Sequence, residues 1–181
     1  HLLQFAHMGS LFSAELLGIE KPEVRLLSIG EEPEKGNALT LEAHRLLSED
    51  SRLNFGGNAE SRDLLRGAAD VVVTDGFTGN VALKTIEGGM RTLLRLTAEA
   101  LNLPVGDARV GEVLEPVLGP AVAQYDPDAF GGAVLLGIDG VCVISHGASN
   151  ARNIDTAIRL AAECAEAGIV HRMKEAISRH E

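Results

Sequence analysis

The chain has 181 residues, 45 % apolar and 23 % charged, the composition of a folded globular protein with a core and not of a disordered tail. Aromatics are 3 %, with no Trp and a single Tyr125, which leaves the core to Leu, Val, Ile and Ala and makes base-stacking surfaces a poor expectation. Lys and Arg number 16 against 26 Asp and Glu, and the resulting net charge of −10 opposes a phosphate backbone, so nucleic acid is not an expected partner. Cys142 and Cys164 are too few for a disulfide framework or a zinc site and suit a reducing compartment. No run approaches the roughly 18 apolar residues of a membrane span and no leader pattern is seen, so a cytoplasmic protein is expected.

Leu3, Phe5, Met8, Leu11, Phe12, Leu16 and Leu17 recur at helical spacing, which predicts a helix over 2–18 that stops at Gly18. The pattern starts in mid-period without an initiating Met, and the chain is expected to be the C-terminal portion of something longer. A short apolar strand over 24–29 then runs into Gly30, followed by a helix over 39–47 and a strand over 53–55. A helical turn over 61–65 and a strand over 71–73 lead to Asp75-Gly76. Helices alternating with apolar strands predict an α/β fold with a mainly parallel sheet covered on both faces. A long helix is predicted from Gly79 to about Leu101, with Leu83, Ile86, Met90, Leu93, Leu94 and Thr97 on one face and Lys84, Arg91 and Arg95 on another. Pro104, Pro116 and Pro120 limit 103–125 to short helical pieces, read as an insertion whose Val110, Val113, Leu114, Val117 and Leu118 form an apolar stripe. Two strand-like runs, 134–138 and 141–145, flank Asp139-Gly140 as a β-hairpin, and one last helix fills 150–180.

In open parallel sheets ligands sit beyond the carboxyl ends of the strands, where loops lead into helix N-termini. Four segments fit that place: 29–37, 54–58, 74–80 and 145–150, each carrying Gly beside Asn, Lys or His. Any one alone reads as turn chemistry, but four together are a stronger signal. Lys35, between Glu34 and Gly36, is either a solvated loop charge or, beside Asn37 at a helix start, a cation that holds an anion. Asn80 caps the long helix, donates its amide to an oxyanion, or does both. His146 ends an apolar strand, either as a satisfied core residue or as a ring at the ligand-bearing sheet edge. The other histidines, His1, His7, His44, His171 and His180, are assigned no chemistry. No pair of His or Cys has ligand spacing, so no metal is implied, and no P-loop, nucleophile elbow or dinucleotide fingerprint occurs.

The segments Lys35-Gly36-Asn37, Asp75-Gly76-Phe77-Thr78-Gly79-Asn80 with Lys84-Thr85-Ile86-Glu87-Gly88, Phe130-Gly131-Gly132-Ala133 and His146-Gly147 stand together in a recognisable order. In them the chain resembles, over nearly its whole length, the PlsX family of phosphate acyltransferases of bacterial phospholipid synthesis. The resemblance implies a three-layer αβα sandwich related to phosphotransacetylases and isopropylmalate dehydrogenases, usually dimeric. It also implies a reaction in which inorganic phosphate attacks the thioester of a fatty acyl carrier protein, giving acyl phosphate and free carrier. Such chemistry asks for a cation to hold phosphate, donors for the oxyanion and orientation of both reactants. Lys35, Asn80 and His146 are the expected catalytic residues, with His146 taking a proton from phosphate or orienting it. Gly36, Asn37, Asp75, Gly76, Thr78 and Gly79 are the expected substrate-binding residues. Lys84, Arg91 and Arg95 are the candidate docking stripe for the acidic carrier. No metal, nucleotide or other cofactor is required.

Members of the family are longer and carry a Gly-rich segment of Met-Gly-Gly-Asp type that nothing in this sequence matches, so the isolated chain is expected to be inactive. Where the family often has His-Gly-Ser-Ser followed by Asp or Asn, this chain has His146-Gly147-Ala148-Ser149-Asn150, one hydroxyl fewer. In some relatives the insertion carries Lys and helps reach the membrane. Here it has Arg109 against Asp107, Glu112 and Glu115, so charge does not hold it to lipid; its apolar stripe either packs on a dimer mate or on the sheet, or makes peripheral contact with the inner face of the membrane near a glycerol-3-phosphate acyltransferase. Two alternatives stay open, a phosphate acetyl- or butyryltransferase using coenzyme A and a catalytically silent module that binds acyl carrier protein, while a third reading, a decarboxylating NAD dehydrogenase, is set aside. The last of these lacks the expected metal-binding Asp set and Arg cluster.

Overall fold

The computed structural model describes residues 1–67, 69–101, 132–145, 147 and 149–178. The insertion over 103–125, Phe130-Gly131, His146 and Ala148 lie outside the described residues. The chain divides into two compact units, one of His1–Gly76 with Val134–Val143 and Ile158–Glu181, the other of Phe77–Ala133 with Ile144–Ala157.

The first unit is built on a parallel sheet of β1 (Glu23–Leu27), β2 (Asn54–Ala59) and β3 (Val71–Val73), in the order β2-β1-β3. On the central strand the alternating residues Val24 and Leu26 are fully buried. Onto that face pack α1 (Leu2–Leu16) through Leu2 and Ala6, and α2 (Ala38–Glu49) through Ala43 and Leu47, with Leu53 and Val73 completing the core. Each fully buried Leu or Val in this cluster is worth about 1.5–3 kcal/mol of transfer free energy. A parallel sheet flanked by helices is the α/β architecture expected of a three-layer αβα sandwich.

The first helix has apolar side chains on two faces. Met8, Leu11, Phe12 and Leu16 meet a second cluster formed by Cys164, Ile169 and Met173, with Val134, Leu136 and Val141 beside them. Burial raises the Cys164 thiol above its ordinary value, with Glu163 adding to the shift.

Element boundaries depart from the sequence reading most in the following places. β1 stops at Leu27, and Ile29 is 81 % exposed. β2 runs on to Ala59 and takes in Gly56-Gly57-Asn58, read from sequence as a loop. Its register steps from Val24↔Phe55 to Leu26↔Asn58, so one extra residue is absorbed in a bulge, which Gly57 permits with φ 91°. The long helix, α3 (Gly76–Ala100), begins at Gly76 and not at Gly79. The predicted hairpin strands shrink to β4 (Ala133–Val134) and β5 (Val143–Ile144), a two-stranded sheet beside which the Leu135 N–H donates to the Cys142 carbonyl at 2.8 Å. The single last helix is two, α4 (Ala151–Glu166) and α5 (Ile169–Ser178), broken where Gly168 takes φ 64°.

In the second unit α3 supplies a long, largely solvated helix on which Ala98 is buried. The Asn150 side chain accepts from the backbone N–H groups of Arg152 and Asn153 at the start of α4, while Asn153 accepts from the Asn150 N–H. Asn150 is thereby a helix cap. Among the described residues no helix is long and apolar enough to cross a membrane.

Candidate active site

Because β1, β2 and β3 are parallel, their carboxyl ends share one edge of the sheet, where the segments after Leu27, Ala59 and Val73 emerge. The segment after β1 is the most elaborated. Its turn closes through the Lys35 N–H donating to the Glu32 carbonyl at 3.0 Å, and the Ser28 hydroxyl donates to the Lys35 carbonyl, also at 3.0 Å. Gly30 is buried, and a Cβ there would lie 2.7 Å from Lys35 Cγ and 2.9 Å from a Glu32 carboxylate oxygen. The missing side chain makes room for the Lys35 stem. The ammonium is left exposed, and among the described residues no carboxylate pairs with it.

Gly36 takes φ 123°, a conformation that favours glycine, and the chain then enters α2 at once. Asn37 is the N-cap. Its side chain accepts from the Thr40 N–H at 3.0 Å, and its own N–H donates to Thr40 Oγ1 at 2.9 Å, a reciprocal capping box. Lys35 thus stands two residues before a helix N-terminus whose partial positive charge acts in the same sense as its ammonium. Glu31, Glu32 and Glu34 lie in the same loop, and Arg62 faces Glu31 at 3.5 Å, offsetting part of that negative charge.

β2 reaches the same loop from the side. Asn58, 2 % exposed, donates from Nδ2 to the Glu32 carbonyl at 2.9 Å, and its Oδ1 lies 2.9 Å from His44 Nδ1 on α2. The His44 ring stands edge-on to Phe55, with centroids 5.2 Å apart. Below it an open cleft of about 400 Å³ is lined by His44, Leu53, Phe55 and Asp50 with Glu31 and Pro33 of the loop. Asp50 ties the end of α2 to α1 through His7 Nε2 at 2.8 Å, and it also accepts from Arg52 Nε at 2.9 Å. The Arg52 guanidinium, helped by the Arg52 N–H and His7, holds the Asp50 carboxyl well below the usual carboxylate range.

After β3 come Thr74 and Asp75, then Gly76 as the first residue of α3. Gly76, Thr78 and Gly79, read as loop residues, are therefore in the first turn of a helix. Asn80 is exposed and lies inside the helix rather than at its cap. Further along, Lys84 pairs with Glu87 at 2.8 Å and Arg95 pairs with Glu99; with Arg91 all three basic residues are exposed.

Of the expected site residues, Lys35, Gly36, Asn37, Asp75 and Gly76 lie at the carboxyl edge of the sheet in the first unit, while Thr78, Gly79 and Asn80 belong to the second. The 54–58 segment is a strand and supplies a buried brace instead of a ligand loop. Sequence reasoning counted Asn58 in a ligand loop, assigned His44 no chemistry and passed over Ser28. The available signal was an amide directly after Gly-Gly in a strand pattern, where a bulge turns a side chain inward. Among the described residues no group of three or more His, Cys, Asp or Glu side chains is placed to hold a metal ion.

The family model described as fatty acid synthesis protein matches residues 1–172. Proteins of Staphylococcus aureus strains bovine RF122 / ET3-1, MSSA476 and MRSA252, each named phosphate acyltransferase, are 41 % identical over 177 residues, 98 % of this chain. The chain spans about half of their length, 54 %. It belongs to this fatty acid synthesis family, the PlsX family whose motifs it carries.

Proposed function

We propose that the protein carrying this chain is a phosphate acyltransferase that moves a fatty acyl group from acyl carrier protein to inorganic phosphate. A phosphate oxygen attacks the thioester carbonyl carbon, the C–S bond breaks, and the carrier leaves as a thiolate that takes up a proton. The product is a mixed anhydride, acyl phosphate, of use to an acyltransferase of phospholipid synthesis. In this reading the partners are acyl carrier protein, inorganic phosphate and a second copy of the chain, in the cytoplasm or at the inner membrane face.

The observation that carries the reading is the exposed ammonium of Lys35, held in a pinned loop just before the α2 N-terminus, in a chain 41 % identical to proteins named phosphate acyltransferase. Lys35 holds phosphate. The amide of Asn80 and the leading N–H groups of α3 serve as donors to the oxyanion. His146 accepts the phosphate proton or orients the nucleophile. A thiolate is a good leaving group, so a strong general acid is not needed.

The test uses protein expressed from its complete gene, with acyl phosphate trapped as hydroxamate by hydroxylamine. Trapping is expected with acyl carrier protein and phosphate together and not when phosphate is omitted. Lys35→Ala is expected to raise the phosphate KM, and Asn80→Ala to lower kcat by about 10²-fold. Product from short acyl coenzyme A alone would assign the acetyl- or butyryltransferase reaction instead. No phosphate-dependent hydroxamate from either donor would remove the reading.

A further inference from the structure

We infer that Asn58, backed by His44, is a positioning residue for Lys35, an inference that rests on Lys35 being the phosphate-holding cation. The Glu32 carbonyl accepts two hydrogen bonds, from Asn58 Nδ2 at 2.9 Å and from the Lys35 N–H at 3.0 Å. One oxygen, with its two lone pairs, therefore joins the buried amide to the backbone of the lysine. The Lys35 carbonyl is tied in turn to Ser28 Oγ at 3.0 Å, so the peptide units on both sides of Lys35 are fixed.

The chemistry of the partners assigns every proton in this relay. A carbonyl only accepts, so the Asn58 nitrogen faces Glu32 and its oxygen faces His44. That oxygen also only accepts, so His44 Nδ1 carries hydrogen and donates. His44 makes the same bond as the neutral Nδ1–H tautomer and as the cation, and the brace does not depend on its charge. Its orientation is set by α2 and by the edge contact with Phe55. Asn58 sits at 2 % exposure where the β2 bulge turns it inward.

The brace has a purpose beyond folding because of where it ends. An exposed lysine on a free loop samples many positions, and anion binding then carries the entropy of ordering it. A backbone fixed on both sides leaves only the side-chain rotations, and Gly30 channels those by admitting the stem. Phosphate affinity, more than turnover of bound reactants, is the quantity this arrangement sets.

The test compares unsubstituted protein, Asn58→Asp and His44→Ala, each expressed from the complete gene, with and without Lys35→Ala. Asn58→Asp keeps the oxygen facing His44 and removes the donor to Glu32. His44→Ala, at a half-buried site, removes the outer support and covers the case in which Asn58→Asp does not fold. Inorganic phosphate is the probe, followed by phosphorus NMR line broadening, with hydrogen exchange read over residues 31–37. In Asn58→Asp phosphate affinity is expected to fall about tenfold, with faster exchange at the Lys35 amide and kcat at saturating phosphate within about twofold. His44→Ala is expected to move both readouts less and in the same direction. In the Lys35→Ala background neither substitution should weaken phosphate further.

Unchanged phosphate affinity in the folded variants, or an equal loss with Lys35 absent, would overturn the inference and leave Asn58 a purely structural residue. Phosphate binding by the unsubstituted protein without acyl phosphate formation would remove the proposed reaction alone, and the binding comparison would still decide the role of Asn58. No phosphate binding by the unsubstituted protein would remove both.

Discussion

Gly36→Ala tests whether the lysine loop and the α2 cap are one mechanical unit. At φ 123° an alanine is strained, and its Cβ would overlap Thr40 Oγ1 and lie 3.0 Å from Ser28 Oγ. Those two hydroxyls make the bonds that hold the loop: Thr40 Oγ1 receives the Asn37 N–H, and Ser28 Oγ donates to the Lys35 carbonyl. The backbone strain is worth about 1–3 kcal/mol. Displacing Thr40 from the capping box adds about 1 kcal/mol. The sum, about 3 kcal/mol, corresponds to a fall in Tm of about 6–12 °C for a chain of this size. Thermal unfolding of Gly36→Ala, Thr40→Ala and the double variant separates the two parts, since with Thr40 truncated only the strain should remain. The phosphate KM should rise in Gly36→Ala because Lys35 loses its anchor. A Tm within about 1 °C of the unsubstituted protein, or full additivity in the cycle, would refute the reasoning.

Asp50→Asn should lower stability by about 1.5–3 kcal/mol near neutral pH, because the Asp50 side chain is 8 % exposed and its bonds to His7 and Arg52 are charge-assisted. The folded protein holds this carboxyl below its unfolded value near 3.9, so its contribution is complete above that pH and is lost as pH falls toward the folded value. Denaturant titrations should therefore show the gap between the two proteins closing below about pH 4, and a gap that widens there would reverse the assignment. The Arg91→Glu, Arg95→Glu double variant should weaken acyl carrier protein binding by about tenfold at low salt and flatten its salt dependence. Lys84 and Arg95 already pair with Glu87 and Glu99, so unchanged affinity would mark the stripe as a solvated helix face.

The periodicities alone determined that the chain is α/β with a parallel sheet: Val24, Leu26 and the Val71–Val73 run can be buried only between covering layers, and α1 shows its apolar repeat openly. That Asn37 stands at a helix start was legible too, and the structure makes it the N-cap, with Thr40 closing a capping box. The ends of elements were less so. Gly79 looks like a helix start, yet α3 begins at Gly76; Gly56-Gly57 looks like a loop, yet the ladder continues through a bulge because the edge-strand β2 pairs on with β1. Such choices depend on which N–H and C=O groups find partners across the sheet, and one chain segment carries no record of that. Only tertiary structure brought Asn58 to Glu32, 26 positions away in sequence, and His7 to Asp50, 43 away. Lysine, glycine and asparagine announce an anion loop by their chemistry; the bonds that hold such a loop still are long-range and polar, and these follow from the packing of β2 and α2 beside β1 rather than from any local pattern.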